Sequence, residues 1–157
     1  MNASALVQQF NASGLTIATA ESCTGGLVAS AITAVPGASN MFTHGYVTYA
    51  NAAKTEMLGV PAAMLQAHGA VSEPVARAMA EGARTRAKVD YAISTTGIAG
   101  PDGGTADKPV GTVWFGLAGP VGTQAYHKRF IGDRESVRMQ AVAFALALLA
   151  QPGQKND

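Results

Sequence analysis

Ser22, Cys23 and Glu21 are the residue types best placed to do chemistry in this chain. They lie in Ala20-Glu21-Ser22-Cys23-Thr24-Gly25-Gly26, between an apolar run, Leu15 to Ala20, and a helix-like run, Leu27 to Val35. A strand that ends in small hydroxyl residues and paired glycines, then opens into a helix, leaves unpaired backbone N–H groups facing whatever docks there. A serine hydroxyl is a weak nucleophile near neutral pH and needs a base to take its proton. If Ser22 attacked a carboxyl-level carbon, the N–H groups around Thr24, Gly25 and Gly26 could hold the developing oxyanion. Glycine at 25 and 26 would let the backbone come close. Glu21 is a charged neighbour able to orient a partner. The competing account is structural: Ser22 or Thr24 caps the helix, and the glycines pack strand against helix. The pattern alone leaves both accounts open.

Lys54 is the strongest candidate base. It lies in Tyr46-Val47-Thr48-Tyr49-Ala50-Asn51-Ala52-Ala53-Lys54, one helical turn past a strand end. A lysine acts as a base only when neutral, which requires burial or a nearby cation. Ala52, Ala53, Met57 and Leu58 offer apolar cover; without other information a solvated surface lysine is the commoner outcome. His44, His68 and His127 show neither a triad setting nor metal-ligand spacing, and the acids are scattered. No metal and no cofactor is expected. Cys23 is the rival nucleophile, since thiolates are favoured at helix starts, although a lone cysteine is more often a small buried residue.

A second glycine-rich element, Thr96-Gly97-Ile98-Ala99-Gly100-Pro101-Asp102-Gly103-Gly104, follows a strand and should reach the same sheet edge. Its spacing matches neither the P-loop nor the dinucleotide fingerprint. Its length and polar load favour a substrate-enclosing loop over a plain surface turn. Arg134 and Arg138, four residues apart, could grip a phosphate. By themselves they read as solvated helix charges beside Asp133 and Glu135. Tyr46 and Tyr49 should fall on opposite faces of a strand.

Composition bounds the alternatives. The 157 residues suit one domain; 48% are hydrophobic and 13% charged, which marks a compact globular chain. A net charge of +1 leaves no electrostatic footprint for nucleic acid or an acidic membrane. One cysteine excludes an internal disulfide and suits a reducing cytoplasm. Met1 to Gly14 has no charged n-region and no long apolar core, so no signal peptide is expected. Ala141 to Ala150 is too short to span a bilayer and reads as a core helix.

The elements that must position these residues follow from periodicity and turn residues. Helices are expected at Ala5–Phe10, Thr24–Ala34, Ala52–Leu58 with Asn51 as cap, Pro61–Gln66, from a Ser72 cap to Ala87, and from an Asp133 cap to about Ala150. Strands are expected at Leu15–Ala20, Phe42–Ala50, Tyr91–Thr96, Val110–Ala118 and Gln124–Ile131, the last two as a hairpin through Gly119 to Gly122. The tail from Gln151 should fray. No repeat or linker divides the chain. The order predicts an α/β fold, a three-layer α/β/α sandwich around a mixed sheet.

Taken together, these segments resemble the CinA C-terminal domain family. The match rests on the Glu21 to Gly26 and Tyr46 to Lys54 motifs, His68-Gly69-Ala70-Val71-Ser72 and Gly97 to Gly104. Lys108-Pro109-Val110-Gly111-Thr112-Val113 and Gly132-Asp133-Arg134 complete it, all in the family's order. The resemblance implies deamidation of nicotinamide mononucleotide to nicotinate mononucleotide, with Ser22 as nucleophile and Lys54 as base. It implies substrate contacts from Glu21, Thr24, Gly25, Gly26, Tyr49, Asn51, Thr96, Gly97, Gly100, Asp102 and Arg134. Arg134, Lys108 or the loop amides would meet the phosphate. The expected partner is therefore a small pyridine nucleotide, with no nucleic acid and no membrane, and self-association into a homodimer or larger assembly is expected. Two other readings compete: a non-catalytic nucleotide-binding module, and a thiol amidase using Cys23.

Overall fold

The computed structural model describes residues 2–152, and its sheet has the order β2-β1-β3-β4-β5. The strands are β1 (Ile17–Glu21), β2 (Phe42–Val47), β3 (Tyr91–Gly97), β4 (Thr112–Gly119) and β5 (Gly122–Arg129). The helices are α1 (Ala3–Ser13), α2 (Leu27–Thr33), α3 (Asn51–Leu58), α4 (Ala62–His68), α5 (Glu73–Ala87) and α6 (Arg134–Ala150). Strand β1 runs parallel to both β2 and β3, while β3–β4 and β4–β5 are antiparallel. The sheet is mixed, helices cover both faces, and the architecture is a three-layer α/β/α sandwich.

Side-chain alternation along the strands splits the core in two. Ile17 and Ile93 face a cluster with Leu6, Val7 and Phe10 of α1, Val28 and Ile32 of α2, and the apolar side of α6. Their neighbours Ala18, Ala20 and Ala92 face Leu58 of α3, Leu65 of α4 and Val75, Met79 and Ala83 of α5. Small residues let α5 lie close on its layer. A Cβ at Gly116 would sit 2.3 Å from the Ala76 carbonyl oxygen, and one at Gly82 would sit 2.0 Å from that of Leu58.

Several expected boundaries move for local reasons. Helix α2 starts at Leu27, not Thr24, because Gly25 and Gly26 have φ of +57° and +102°, outside the helical region. Strand β2 ends at Val47, so Tyr49 lies beyond it and is not on a strand face at all. The cap of α3 is Ala50, and Asn51 is already helical. Ser72 does occupy the cap position of α5, but its hydroxyl donates to the Gly69 carbonyl instead of capping. Asp133 caps α6 by accepting from the Ser136 N–H. The hairpin forms with Gly119 opposite Gly122. Its strands run 112–119 and 122–129 because Gly111, at φ +93°, breaks the lead-in. The expected fraying tail, past Pro152, lies outside the described residues.

Candidate active site

Ser22, Tyr49 and the Thr96–Gly100 segment all lie at or just past the C-terminal ends of the parallel strands β1, β2 and β3. The sheet order turns from β2 to β3 around β1 here, which is where open α/β sheets leave a crevice. A cavity of about 280 Å³ occupies this position. It is lined by Ser22, Tyr49, Asn51, Lys54, Thr96, Gly97, Gly100, Asp102 and Arg134 among the residues singled out from the sequence, and by Cys23. Glu21, Thr24, Gly25 and Gly26 do not line it.

Lys54 is not a solvated surface charge: it is 1% exposed. The first turns of α3 carry it back under the end of β2. Its Nζ reaches Ser22 Oγ at 3.0 Å, the Thr48 carbonyl at 2.9 Å and the Tyr49 carbonyl at 3.3 Å. No carboxylate pairs with it; the ion pair found among the described residues is Arg77 with Glu73. Burial holds the Lys54 amine below the ordinary lysine range. A neutral amine has two N–H groups and one lone pair. In that neutral form, with both N–H groups on the two carbonyls, the lone pair would be left for the Ser22 hydroxyl. Ser22 itself is 8% exposed, open to the cavity and otherwise enclosed.

Cys23 lines the same cavity, but burial pushes its thiol up to about 12. It stays protonated at neutral pH, and protonated thiols are poor nucleophiles.

Glu21 does structural work inside the fold. Its carboxylate accepts from the Thr24 hydroxyl at 2.6 Å and from the Val28 and Ala29 N–H groups at 2.7 and 3.1 Å. It therefore anchors the start of α2 and does not face the cavity. Thr24 Oγ1 also lies 2.7 Å from Thr95 Oγ1, which ties the turn to β3. Gly25 and Gly26 hold positive φ, which favours glycine at both positions. The N–H of Gly25 donates to the Ser22 carbonyl at 3.0 Å. The N–H groups of Cys23 and Thr24 have no partner in another described residue.

Opposite the catalytic candidates, Arg134 sits at the rim. It donates to the Gly100 carbonyl at 2.9 Å and to the Tyr49 hydroxyl at 3.0 Å, linking the Gly97–Gly104 loop to the segment after β2. Arg138 does not join it as a phosphate clamp. Its guanidinium is spent on the Cys23 and Thr24 carbonyls. Lys108 is also elsewhere: it donates to the His68 carbonyl at 2.7 Å and lines a neighbouring depression with Trp114 and His127. Ala70, Val71, Ile98, Ala99 and Gly103 complete the lining. None of them carries a reactive group, so residue type gave no signal for them. Among the described residues no group of three or more His, Cys, Asp or Glu side chains could hold a metal, and no helix is long and apolar enough to cross a membrane.

Comparison with known proteins gives the family. The nicotinamide-nucleotide amidohydrolase PncC of Escherichia coli strain K12 is 53% identical over 95% of this chain and 91% of its own length. A putative competence-damage inducible protein of Symbiobacterium thermophilum is 59% identical over 87% of this chain. The chain spans only 34% of that longer protein. Among solved structures, the competence/damage inducible protein CihA of Agrobacterium tumefaciens superposes with a TM-score of 0.94 at 42% identity, covering 97% of this chain and 93% of that one. A CinA superfamily protein of Escherichia coli gives 0.92 at 43% identity, covering 96% and 87%. The CinA C-terminal domain matches residues 2–152, and the chain belongs to that family.

Proposed function

We propose that this chain hydrolyses the carboxamide of nicotinamide mononucleotide, giving nicotinate mononucleotide and ammonia, with Ser22 as nucleophile and Lys54 as base. The observation that carries the reading is the buried, uncompensated Lys54 amine 3.0 Å from Ser22 Oγ. A desolvated lysine without a counter-ion is costly, and a module that only bound nucleotides would have no use for it. The substrate class comes from similarity to PncC along nearly the whole of both chains.

In this mechanism neutral Lys54 takes the Ser22 proton as Oγ attacks the carboxamide carbon. The N–H of Cys23, the residue beside Ser22 on the cavity wall, meets the oxyanion. The Lys54 ammonium then protonates the carboxamide nitrogen, the C–N bond breaks, ammonia leaves, and an acyl ester remains on Ser22. Water, deprotonated by Lys54, attacks the ester; the proton returns to Oγ and the acid is released. The pyridinium ring withdraws electrons from the carbonyl and eases the first attack. Arg134 is the second cation on the cavity wall and takes the substrate phosphate at the rim, with the loop at Gly100 to Gly103 beside it. Tyr49 and Asn51 border the entrance, and Thr96, Gly97 and Asp102 flank the ring.

The test is ammonia release from nicotinamide mononucleotide by the parent chain and by Ser22→Ala. Release by the parent and none by the variant is expected, with an acyl adduct on Ser22 trapped by acid quench and found by mass spectrometry. Binding without release by the parent, across the pH range, points instead to the binding module.

A cytoplasmic setting fits the single buried thiol. Self-association is part of the same proposal, supported by the exposure of Val47, Ile131 and Met139 at 46%, 86% and 53%. Sedimentation velocity giving only monomer at micromolar concentration would refute it.

A further inference from the structure

Arg138 is half-buried on α6 and does not line the cavity. Its guanidinium instead lies against the backbone of the turn that carries Ser22. Nε donates to the Cys23 carbonyl at 3.1 Å and Nη2 to the Thr24 carbonyl at 3.2 Å. Each of those carbonyls shares a peptide unit with an N–H group. The Cys23 carbonyl is conjugated to the Thr24 N–H, which has no partner among the described residues. The Thr24 carbonyl is conjugated to the Gly25 N–H, which donates to the Ser22 carbonyl at 3.0 Å. The Ser22 carbonyl is conjugated in turn to the N–H of Cys23, a residue on the cavity wall.

A cation on a peptide oxygen draws electron density from the nitrogen and makes the N–H a stronger donor. Hydrogen bonds in series pass that polarisation along. Arg138 therefore acts on the Cys23 N–H, the donor on the cavity wall, through two peptides in series. It also holds the turn in place, because a flipped Cys23–Thr24 peptide would lose its guanidinium contact. Glu21 holds the other side of the turn through the Thr24 hydroxyl at 2.6 Å, so opposite charges grip Thr24 from two sides.

We propose that Arg138 is a positioning residue for the amide hydrolysis, holding the turn and polarising the backbone N–H of Cys23, beside Ser22, that receives the oxyanion. The proposal rests on the reading of Ser22 as nucleophile. It separates the two arginines of α6: Arg134 serves the ground-state substrate at the rim, and Arg138 serves the transition state from behind the turn. Loss of Arg138 should therefore lower kcat and leave KM in place.

The experiment measures ammonia release from nicotinamide mononucleotide by the full chain and by Arg138→Ala, with and without low-millimolar guanidinium chloride, with sodium chloride as the salt control. Circular dichroism checks folding. The expected result is a kcat about 100-fold below the parent, the scale of one lost oxyanion donor, with KM unchanged within about twofold. Guanidinium should restore at least about tenfold of that loss and should not activate Ser22→Ala. A kcat within about threefold of the parent, a loss confined to KM, or a folded variant that guanidinium does not rescue overturns the inference. If the alanine variant is unfolded, Arg138→Lys decides: it keeps the charge and loses the second donor, and a kcat about tenfold down at constant KM is expected, whereas parental kcat overturns the inference. A parent chain that releases no ammonia refutes the amidase reading and this inference with it. An active parent with a full-rate Arg138→Ala refutes the inference alone.

Discussion

Lys54 Nζ stands 3.0 Å from Ser22 Oγ across 32 residues of sequence, and its remaining contacts are the carbonyl oxygens of Thr48 and Tyr49. Burial without a counter-ion makes this amine give up its proton more readily than an ordinary lysine, while the two carbonyls hold its N–H groups in place. In the proposed mechanism that shift, more than the identity of either residue, is what activates an ordinary serine.

Replacing Lys54 should separate activity from stability. Lys54→Met should lower kcat by at least about 1,000-fold, the upper range for loss of a general base. The folded pKa of Lys54 is depressed, so the unfolded chain binds more protons over the window between the folded value and 10.5. Stability from this group is then present above the unfolded value and lost as pH falls through the folded one. At neutral pH the methionine variant should be as stable as the parent or more so. Ammonia release and thermal melts check both halves; a destabilised variant with parental turnover would contradict both.

The pH profile should report the same amine. With Lys54 needed neutral, kcat/KM should rise with pH and level off, with a midpoint below 10.5. An activity that falls as pH rises through the neutral range would mean that the working group is used protonated.

Cys23 should prove chemically idle. With its thiol held near 12, it is protonated throughout the working range. Cys23→Ser should keep kcat within about threefold, since a small polar swap at a buried site costs packing more than chemistry. Iodoacetamide at neutral pH should label the folded protein far more slowly than the urea-unfolded chain. Rapid labelling coupled to loss of activity would revive the thiol mechanism.

Gly82 links the packing of α5 to the position of the base. A Cβ there would come within 2.0 Å of the Leu58 carbonyl oxygen, at the end of the helix that carries Lys54. Gly82→Ala should cost about 1–3 kcal/mol of stability, as overpacking does, and should lower kcat by pushing α3 outward. Urea unfolding together with steady-state kinetics tests this; a variant with parental stability would show that α3 yields freely.

Much of this protein was legible in one dimension. Apolar runs, turn residues and caps such as Asp133 specify the helices, strands and hairpin, because period and capping act over a few residues. The Ser22 turn and the Lys54 motif were visible as residue types at strand ends. Their pairing came only from the family resemblance and not from the residues themselves, because the cover around Lys54 comes from the end of β2 as well as from its own helix. Only the folded arrangement makes that amine buried and unpaired. Burial likewise demoted Cys23, turned Glu21 from a cleft residue into the anchor of α2, and parted Arg134 from Arg138. Those two arginines are four residues apart on one helix, and sequence treats them as a pair. Tertiary structure sends one to the rim and the other behind the Ser22 turn, because what a charge does depends on which carbonyls and hydroxyls the rest of the chain brings to it.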